Sequence, residues 1–348
     1  MSMNKKPFGL NIGISSIKVV WLSHLKEGFL LDASIISPTP SKGMLSESPL
    51  DEEEMVRAIQ KVVTDAKITT KFVNVAMAEN QVYTKVIEMP VLSDKELSSA
   101  IFWEAEQNIP VPLSTITLAW NVLKRPQKAV GDEKMQVLMV GAPTTLVNKY
   151  QKVLSMAGLS INALETEILS IIRALVLSED FPPTLIVNIG SVSTSLALVR
   201  DGIMIFTYSI PVGGMAINRA ISTDFGLTPS QAEEYKKVYG ISKEAFGEKI
   251  GKATEPILNS ILTEVKKTLV FYSDKYKDDK PVRQVLLTGG TAKLPGINLF
   301  FTSSTGIETA IANPWKIISN QNELPQEILD NGPDYTIAVG LAMRDNEN

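Results

Sequence analysis

The sequence predicts an α/β protein built as two related halves around a cleft, and three observations carry that expectation. Asn11-Ile12-Gly13-Ile14-Ser15-Ser16 returns as Asn188-Ile189-Gly190-Ser191-Val192-Ser193 at an offset of 177 residues (188 − 11), close to half of the 348-residue chain. Each copy reads as an apolar strand, a Gly-Ser turn and a second strand. Short apolar segments alternate with stretches of helical periodicity throughout. Pro182-Pro183 then supply a rigid break near mid-chain, so that a second half starts at Thr184.

Composition narrows the function classes. The chain is 44% hydrophobic and 21% charged, enough apolar material for two cores. With 34 Lys and Arg against 38 Asp and Glu the net charge is −4, so nucleic acid is not an expected partner. Cysteine is absent, which removes disulfides, thiolate zinc sites and cysteine nucleophiles and fits a reducing, cytoplasmic setting. His24 is the single histidine, which rules out two-imidazole mechanisms, and it reads as a loop residue. No apolar run nears the roughly 20 residues of a membrane-spanning helix. Residues 8–22 behind Lys5-Lys6 are not expected to be a signal peptide, because Asn11 and Lys18 interrupt them and no small-residue cleavage site follows.

Element by element, residues 8–36 read as hairpin strands broken at 13–16 and at Glu27-Gly28. Met55, Ile59, Val62 and Val63 behind Asp51 predict a helix ending near Lys67, with acidic residues where its dipole favours them. Strands are expected at 72–77 and 82–89. Ser93-Asp94-Lys95-Glu96 then spells a capping box for a helix to about 107. Strands at 117–123 and 135–141, with Gly131-Asp132 in the hairpin between them, and a helix at 145–157 closed by Gly158 complete a compact unit. A helix at 167–177 leads to the proline break. Helices follow at about 214–225, 229–239 and 253–276, then a strand at 284–287 that runs into Thr288-Gly289-Gly290, and a last short helix near 336–344. The first half is thus 1–183, with core 1–83 and 163–183 and an inserted subdomain at about 84–162. The second is 184–348, with core 184–224 and 281–333, a small subdomain at about 225–280 and a C-terminal helix at 334–344.

The repeated turns carry the chemistry. A tight Gly-Ser turn between strands aims backbone N–H groups and hydroxyls at one concave spot, an arrangement that holds phosphate oxygens. Gly13, Ser15, Ser16 and Lys18 form the first such set, Gly190, Ser193 and Thr194 the second. One copy alone is an ordinary hairpin; two copies half a chain apart point to an anion held between halves. Thr288-Gly289-Gly290, with Lys293 beyond it, offers bare backbone to a base or ribose, or forms a plain strand-to-helix loop. Neither a P-loop nor a G-x-G-x-x-G fingerprint is present.

These residues resemble the actin-like ATPase superfamily and, within it, the PilM family of type IV pilus assembly proteins, which is similar to the division protein FtsA. The resemblance spans nearly the whole chain and rests on Gly9-Leu10-Asn11-Ile12-Gly13 with Ile17-Lys18-Val19-Val20, on Trp103-Glu104-Ala105-Glu106-Gln107-Asn108-Ile109-Pro110-Val111-Pro112-Leu113, and on Val187-Asn188-Ile189-Gly190. Gly213-Gly214, Gln231-Ala232-Glu233-Glu234-Tyr235-Lys236 and Leu287-Thr288-Gly289-Gly290 with Leu294-Pro295-Gly296 extend it. It implies an actin-like fold with an FtsA-like inserted subdomain and ATP in the cleft. Phosphates would lie against both turns and Gly213-Gly214; Glu233, Lys236, Gly289, Gly290 and Lys293 would meet ribose and adenosine. On residues alone Glu233 and Lys236 read as a solvated i,i+3 pair. The water-orienting acid would match Glu167, with Glu165 second.

The chain departs from the superfamily where Asp opens both phosphate turns, since Asn11 and Asn188 stand there. A neutral amide is a weak ligand for Mg²⁺, which would be held through the ATP phosphates with both asparagines outside direct ligation. Hydrolysis is therefore expected to be weak or absent. The resemblance further implies a groove for the N-terminal cytoplasmic segment of a PilN-like inner-membrane protein, formed by Trp103, Ile109, Pro110, Val111 and Pro112, with nucleotide-sensitive affinity and membrane attachment through that partner. Phe102 and Leu113 are expected to pack the subdomain. An active ATPase, a phosphotransferase and an FtsA- or MreB-like polymerising protein are the alternatives.

Overall fold

The computed structural model describes residues 6–26, 28–126, 133–242, 245–277 and 280–344. The first half runs β1 (Phe8–Ile12), β2 (Ser16–His24), β3 (Phe29–Pro38), α1 (Pro49–Asp65), β4 (Phe72–Met77), β5 (Tyr83–Met89), α2 (Asp94–Asn108), β6 (Ile116–Lys124), β7 (Met135–Pro143), α3 (Thr144–Met156), β8 (Ser160–Thr166) and α4 (Glu167–Leu175). The second runs β9 (Thr184–Ile189), β10 (Thr194–Arg200), β11 (Ile203–Ile210), α5 (Gly214–Phe225), α6 (Pro229–Tyr239), α7 (Ala245–Lys275), β12 (Gln284–Thr288), α8 (Ile297–Thr305), β13 (Glu308–Ile311), α9 (Gln326–Asp330) and α10 (Gly332–Ala342).

Two five-stranded sheets repeat one plan, β3-β2-β1-β4-β8 and β11-β10-β9-β12-β13. In each, an antiparallel meander is extended by two parallel strands. The two copies of the repeat fall at equivalent places, joining β1 to β2 and β9 to β10. The central strands β1 and β9 are buried at every position and largely apolar, as expected of strands covered on both faces, with Asn11 and Asn188 as buried polar residues near their ends. The stripe of α1 buries Met55, Val56, Ile59 and Val62 on the first sheet, and the box at Ser93 and Glu96 does start α2.

Three expectations need correction. The inserted unit is narrower than 84–162: only β5, β7 and β6 form its three-stranded sheet, under α2. By contrast, β8 pairs with β4, and α3 buries Tyr150, Val153 and Leu154 in the first core. Apolar periodicity alone does not tell a strand of one sheet from its neighbour, so the return to the core at Thr144 left no mark in the pattern. The helix expected at 253–276 begins at Ala245 and carries Pro256 inside it. Burial of Ile250, Leu258 and Ile261 in the second core outweighs the roughly 3 kcal/mol that an interior proline costs. His24 ends β2 rather than lying in a loop, its ring edge-on to Phe29. The hairpin at Gly131-Asp132 lies outside the described residues.

The C-terminal helix joins the halves. Ile337, Ala338, Val339 and Leu341 of α10 share one core with Val20, Leu22, Ile168 and Ile171 of the first half and Ile186, Ala197 and Val199 of the second. Gly340 lets α10 approach α4 this closely, because a Cβ there would stand 1.8 Å from the Ser170 carbonyl oxygen. Although it follows the second sheet in sequence, α10 therefore packs on β1, β2 and α4.

Candidate functional site

The repeat places its two turns mouth to mouth. In each, the glycine amide donates to a carbonyl three residues on, Gly13 N to Ser16 O at 3.1 Å and Gly190 N to Ser193 O at 2.9 Å. Ser15 Oγ and Ser191 Oγ meet at 2.7 Å across the gap. Behind them opens a cavity of about 1010 Å³ between the halves. Asn11, Gly13, Ser15, Ser16, Lys18, Asn188, Gly190, Ser193, Gly214, Glu233, Lys236, Gly289, Gly290, Lys293 and Glu167 all line it, so residues scattered over the chain converge on one cleft. Two expected members do not reach it. Thr194 is buried and spends its hydroxyl on the Val212 carbonyl at 2.7 Å, and Gly213 packs behind the second turn, where a Cβ would lie 2.6 Å from Gly190 O. The first amides of α5 are also engaged, Gly214 N on Gly190 O at 2.9 Å and Met215 N on Ser191 O at 2.8 Å.

Charge is arranged around this cavity in three groups. Lys18, paired with Asn11 in the β1–β2 register, is half-buried and makes no hydrogen bond or ion pair among the described residues. Burial pushes its ammonium below the usual range, against the pull of Asp334 and Glu167. Glu233 and Lys236 are not a solvated pair: Lys236 Nζ donates to Glu233 Oε2 at 2.6 Å with only 10% of its side chain exposed, and Asn218 donates to the same oxygen at 2.6 Å. Burial opposes the charge on Glu233, yet these two hydrogen bonds hold its carboxyl below the usual range. Lys293 Nζ lies 2.6 Å from Asp334 Oδ2 beside Gly290. Gly289 has φ +84°, and a Cβ there would lie 2.6 Å from Ile189 O and 2.7 Å from Asn188 Oδ1, so the loop stands flush against the second turn.

Of the two candidate acids only Glu167 faces the cleft. Burial first and Glu79 second push its carboxyl up to about 7, with Lys18 drawing it down. Glu165 instead accepts two hydrogen bonds from Arg173, at 2.7 and 2.8 Å, and pairs with Arg344, a structural cluster. Asp334, Glu79 and Asn218 were missed. Asp334 lies in the first turn of α10 and lines the cleft, and nothing in the local sequence marks it as doing so. Asn11 is 3% exposed, and its Oδ1 has no hydrogen-bond partner among the described residues, an acceptor held ready in the wall. No cluster of three carboxylate or histidine ligands for a metal occurs among the described residues.

On α2 and beyond, Trp103 is 65% exposed, Pro110 and Pro112 are exposed and Val111 is half-buried. Ile109 belongs to the inserted unit's own core, since it closes the helix against β7, where Gly141 leaves room for it. Phe102, expected to pack inside, is 50% exposed, while Leu113 does pack against that core.

Paired sheets of this topology, a cleft between two glycine turns and a helix joining the halves define an actin-like ATPase fold. The family model for the type IV pilus assembly protein PilM matches residues 9–346, and the chain belongs to that family. A solved structure titled as the PilM–PilN type IV pilus biogenesis complex aligns over 99% of each chain with TM-score 0.85 and 27% identity. MreB5 of Spiroplasma citri bound to ADP shares the fold, with TM-score 0.52 and 11% identity over 97% of this chain and 95% of that one. Among curated relatives, the cell division protein FtsA of Streptococcus pneumoniae is 25% identical over 83% of this chain and 71% of its own length. FtsA of Bacillus subtilis is 23% identical over 98% and 83%. No described helix is long and apolar enough to cross a membrane.

Proposed function

We propose that this PilM-family chain is an ATP-binding scaffold whose nucleotide state sets the affinity of its inserted unit for the N-terminal cytoplasmic segment of a PilN-like inner-membrane protein. The 2.7 Å meeting of Ser15 and Ser191 in the wall of the interdomain cavity carries the reading, because it brings two phosphate turns to one ligand. The residues fit ATP. Glycine turns and Lys18 receive the triphosphate, the Gly289-Gly290 loop receives the base, and Glu233 with Lys236 receives the ribose. Asn11 and Asn188 supply amide oxygens where a carboxylate would draw Mg²⁺, so the metal rides on the phosphates and turnover is slow or absent. In this reading attachment at the cytoplasmic face of the inner membrane comes through the partner, and Trp103, Pro110, Val111 and Pro112 present the docking surface.

Supporting the partner is the relative solved as a PilM–PilN complex, which matches this chain end to end. Calorimetric titration with a synthetic peptide of the PilN cytoplasmic N-terminus, on nucleotide-free and ATP-loaded protein, tests the coupling. Affinities that differ about tenfold, a coupling of about 1.4 kcal/mol, support it, and equal affinities contradict it. An active ATPase is the second reading, favoured by the carboxyl of Glu167 on the cleft wall.

A further inference from the structure

Glu79 takes no part in the expected site, yet it stands directly behind it. It begins a short 3-10 turn between β4 and β5 and is 6% exposed. Its Oε1 accepts the amide of Ile168 at 3.2 Å, one of the first-turn donors of α4 that no helical carbonyl can satisfy. The residue before that amide is Glu167, which faces the phosphate side. Next to Glu79, Asn80 lines both the cleft and a second crevice of about 530 Å³ bounded by β5, β7 and β11, and Glu79 forms part of that crevice's wall.

We propose that Glu79 is a positioning residue of the cleft: by holding the first turn of α4 it fixes where Glu167 stands and how much negative charge Glu167 presents to a ligand between the turns. The consequence for nucleotide rests on the function proposed above, whereas the link between the two carboxyls does not. Burial raises the carboxyl of Glu79, and Glu79 in turn helps to raise that of Glu167. The other groups facing the pair are Lys18 on β2, with Asp334 and Lys293 beyond it, Tyr150 on α3 and, on the crevice side, Lys85 of β5. Lys18 is thus the cation that opposes Glu79 for control of Glu167.

Denaturant stability of the full chain without nucleotide, from pH 5 to pH 8, tests the link in wild type, Glu79→Gln, Glu167→Gln and the double variant. A carboxyl raised in the folded state stabilises below its unfolded value and loses that contribution as pH rises through its folded value, so wild-type stability falls towards pH 7. Glutamine keeps the acceptor for Ile168 and removes the charge. The midpoint of the fall is expected to move down by about half a pH unit or more in Glu79→Gln, the double variant to lose the fall that both carboxyls contribute, and the effects of the two single variants not to sum to that of the double. A Glu79→Gln midpoint equal to wild type, or full additivity of the two changes, overturns the proposal. If Glu79→Gln does not fold, Glu79→Asp is read by the same criterion, since it draws the charge back from Ile168. Failure of the chain to bind ATP would sink the proposed function and leave these profiles unaffected.

Discussion

Ser15 Oγ and Ser191 Oγ lie 2.7 Å apart, although 176 residues separate them along the chain. Each sits at the tip of a glycine turn, one on the first sheet and one on the second, so this contact closes the mouth of the cleft. A triphosphate seated between the turns has to part them. With no cysteine elsewhere, a Ser15→Cys, Ser191→Cys variant offers a clean readout. The pair should oxidise readily in nucleotide-free protein, and saturating ATP should slow the cross-link about tenfold or more; the same rate in both would place the phosphates elsewhere.

Replacing Asn11 with Asp restores a carboxylate where the superfamily has one. Because the Asn11 side chain is buried and its Oδ1 has no hydrogen-bond partner among the described residues, the new charge should lower stability by about 1–3 kcal/mol without Mg²⁺. ATP with Mg²⁺ should recover that loss, and Mg²⁺-dependent phosphate release should rise about tenfold above wild type. Thermal melts and a phosphate assay on Asn11→Asp, alone and with Asn188→Asp, check both outcomes.

Two neighbouring acids should separate cleanly. Glu165→Gln breaks a buried cluster with Arg173 and Arg344 and should cost about 3 kcal/mol of stability, yet leave ATP affinity close to wild type at a temperature where it is folded. Glu167→Gln removes a carboxyl that lines the cleft and should change ATP affinity with little loss of stability at pH 5. Urea titrations beside nucleotide titrations distinguish them.

The inserted unit gives a similar contrast. Trp103 is 65% exposed, so Trp103→Ala should change stability by no more than about 0.5 kcal/mol while weakening PilN-peptide binding about tenfold. Ile109 is 5% exposed, and Ile109→Ala should cost about 2–5 kcal/mol and affect binding through loss of the unit's packing. Calorimetry and denaturation on the same preparations read both.

Much of this was legible in the sequence, and the physical reason differs from place to place. The repeat at Asn11 and Asn188 implied two like halves because a turn that offers the same backbone groups needs the same short sequence, and the sheets follow identical strand orders. Capping residues marked the start of α2 because side-chain and backbone groups three apart must meet there. What stayed hidden depends on contacts distant in sequence. The return of β8 to the first sheet, the placement of α10 on α4, and the arrival of Asp334 beside Lys293 are set by packing between segments, which local periodicity does not encode. Ile109 looked like a surface anchor beside its prolines, yet the room left by Gly141 draws it inward.

The cleft is expected to hold ATP and scarcely to turn it over. Purified protein would be incubated with ATP and Mg²⁺, stripped of free nucleotide, denatured, and the released nucleotide identified by ion-exchange chromatography. About one equivalent of intact ATP per chain is the predicted result. ADP in clear excess over a no-protein control would contradict it, since metal and water would then be positioned without the two missing aspartates, and an empty cleft would contradict it more simply still.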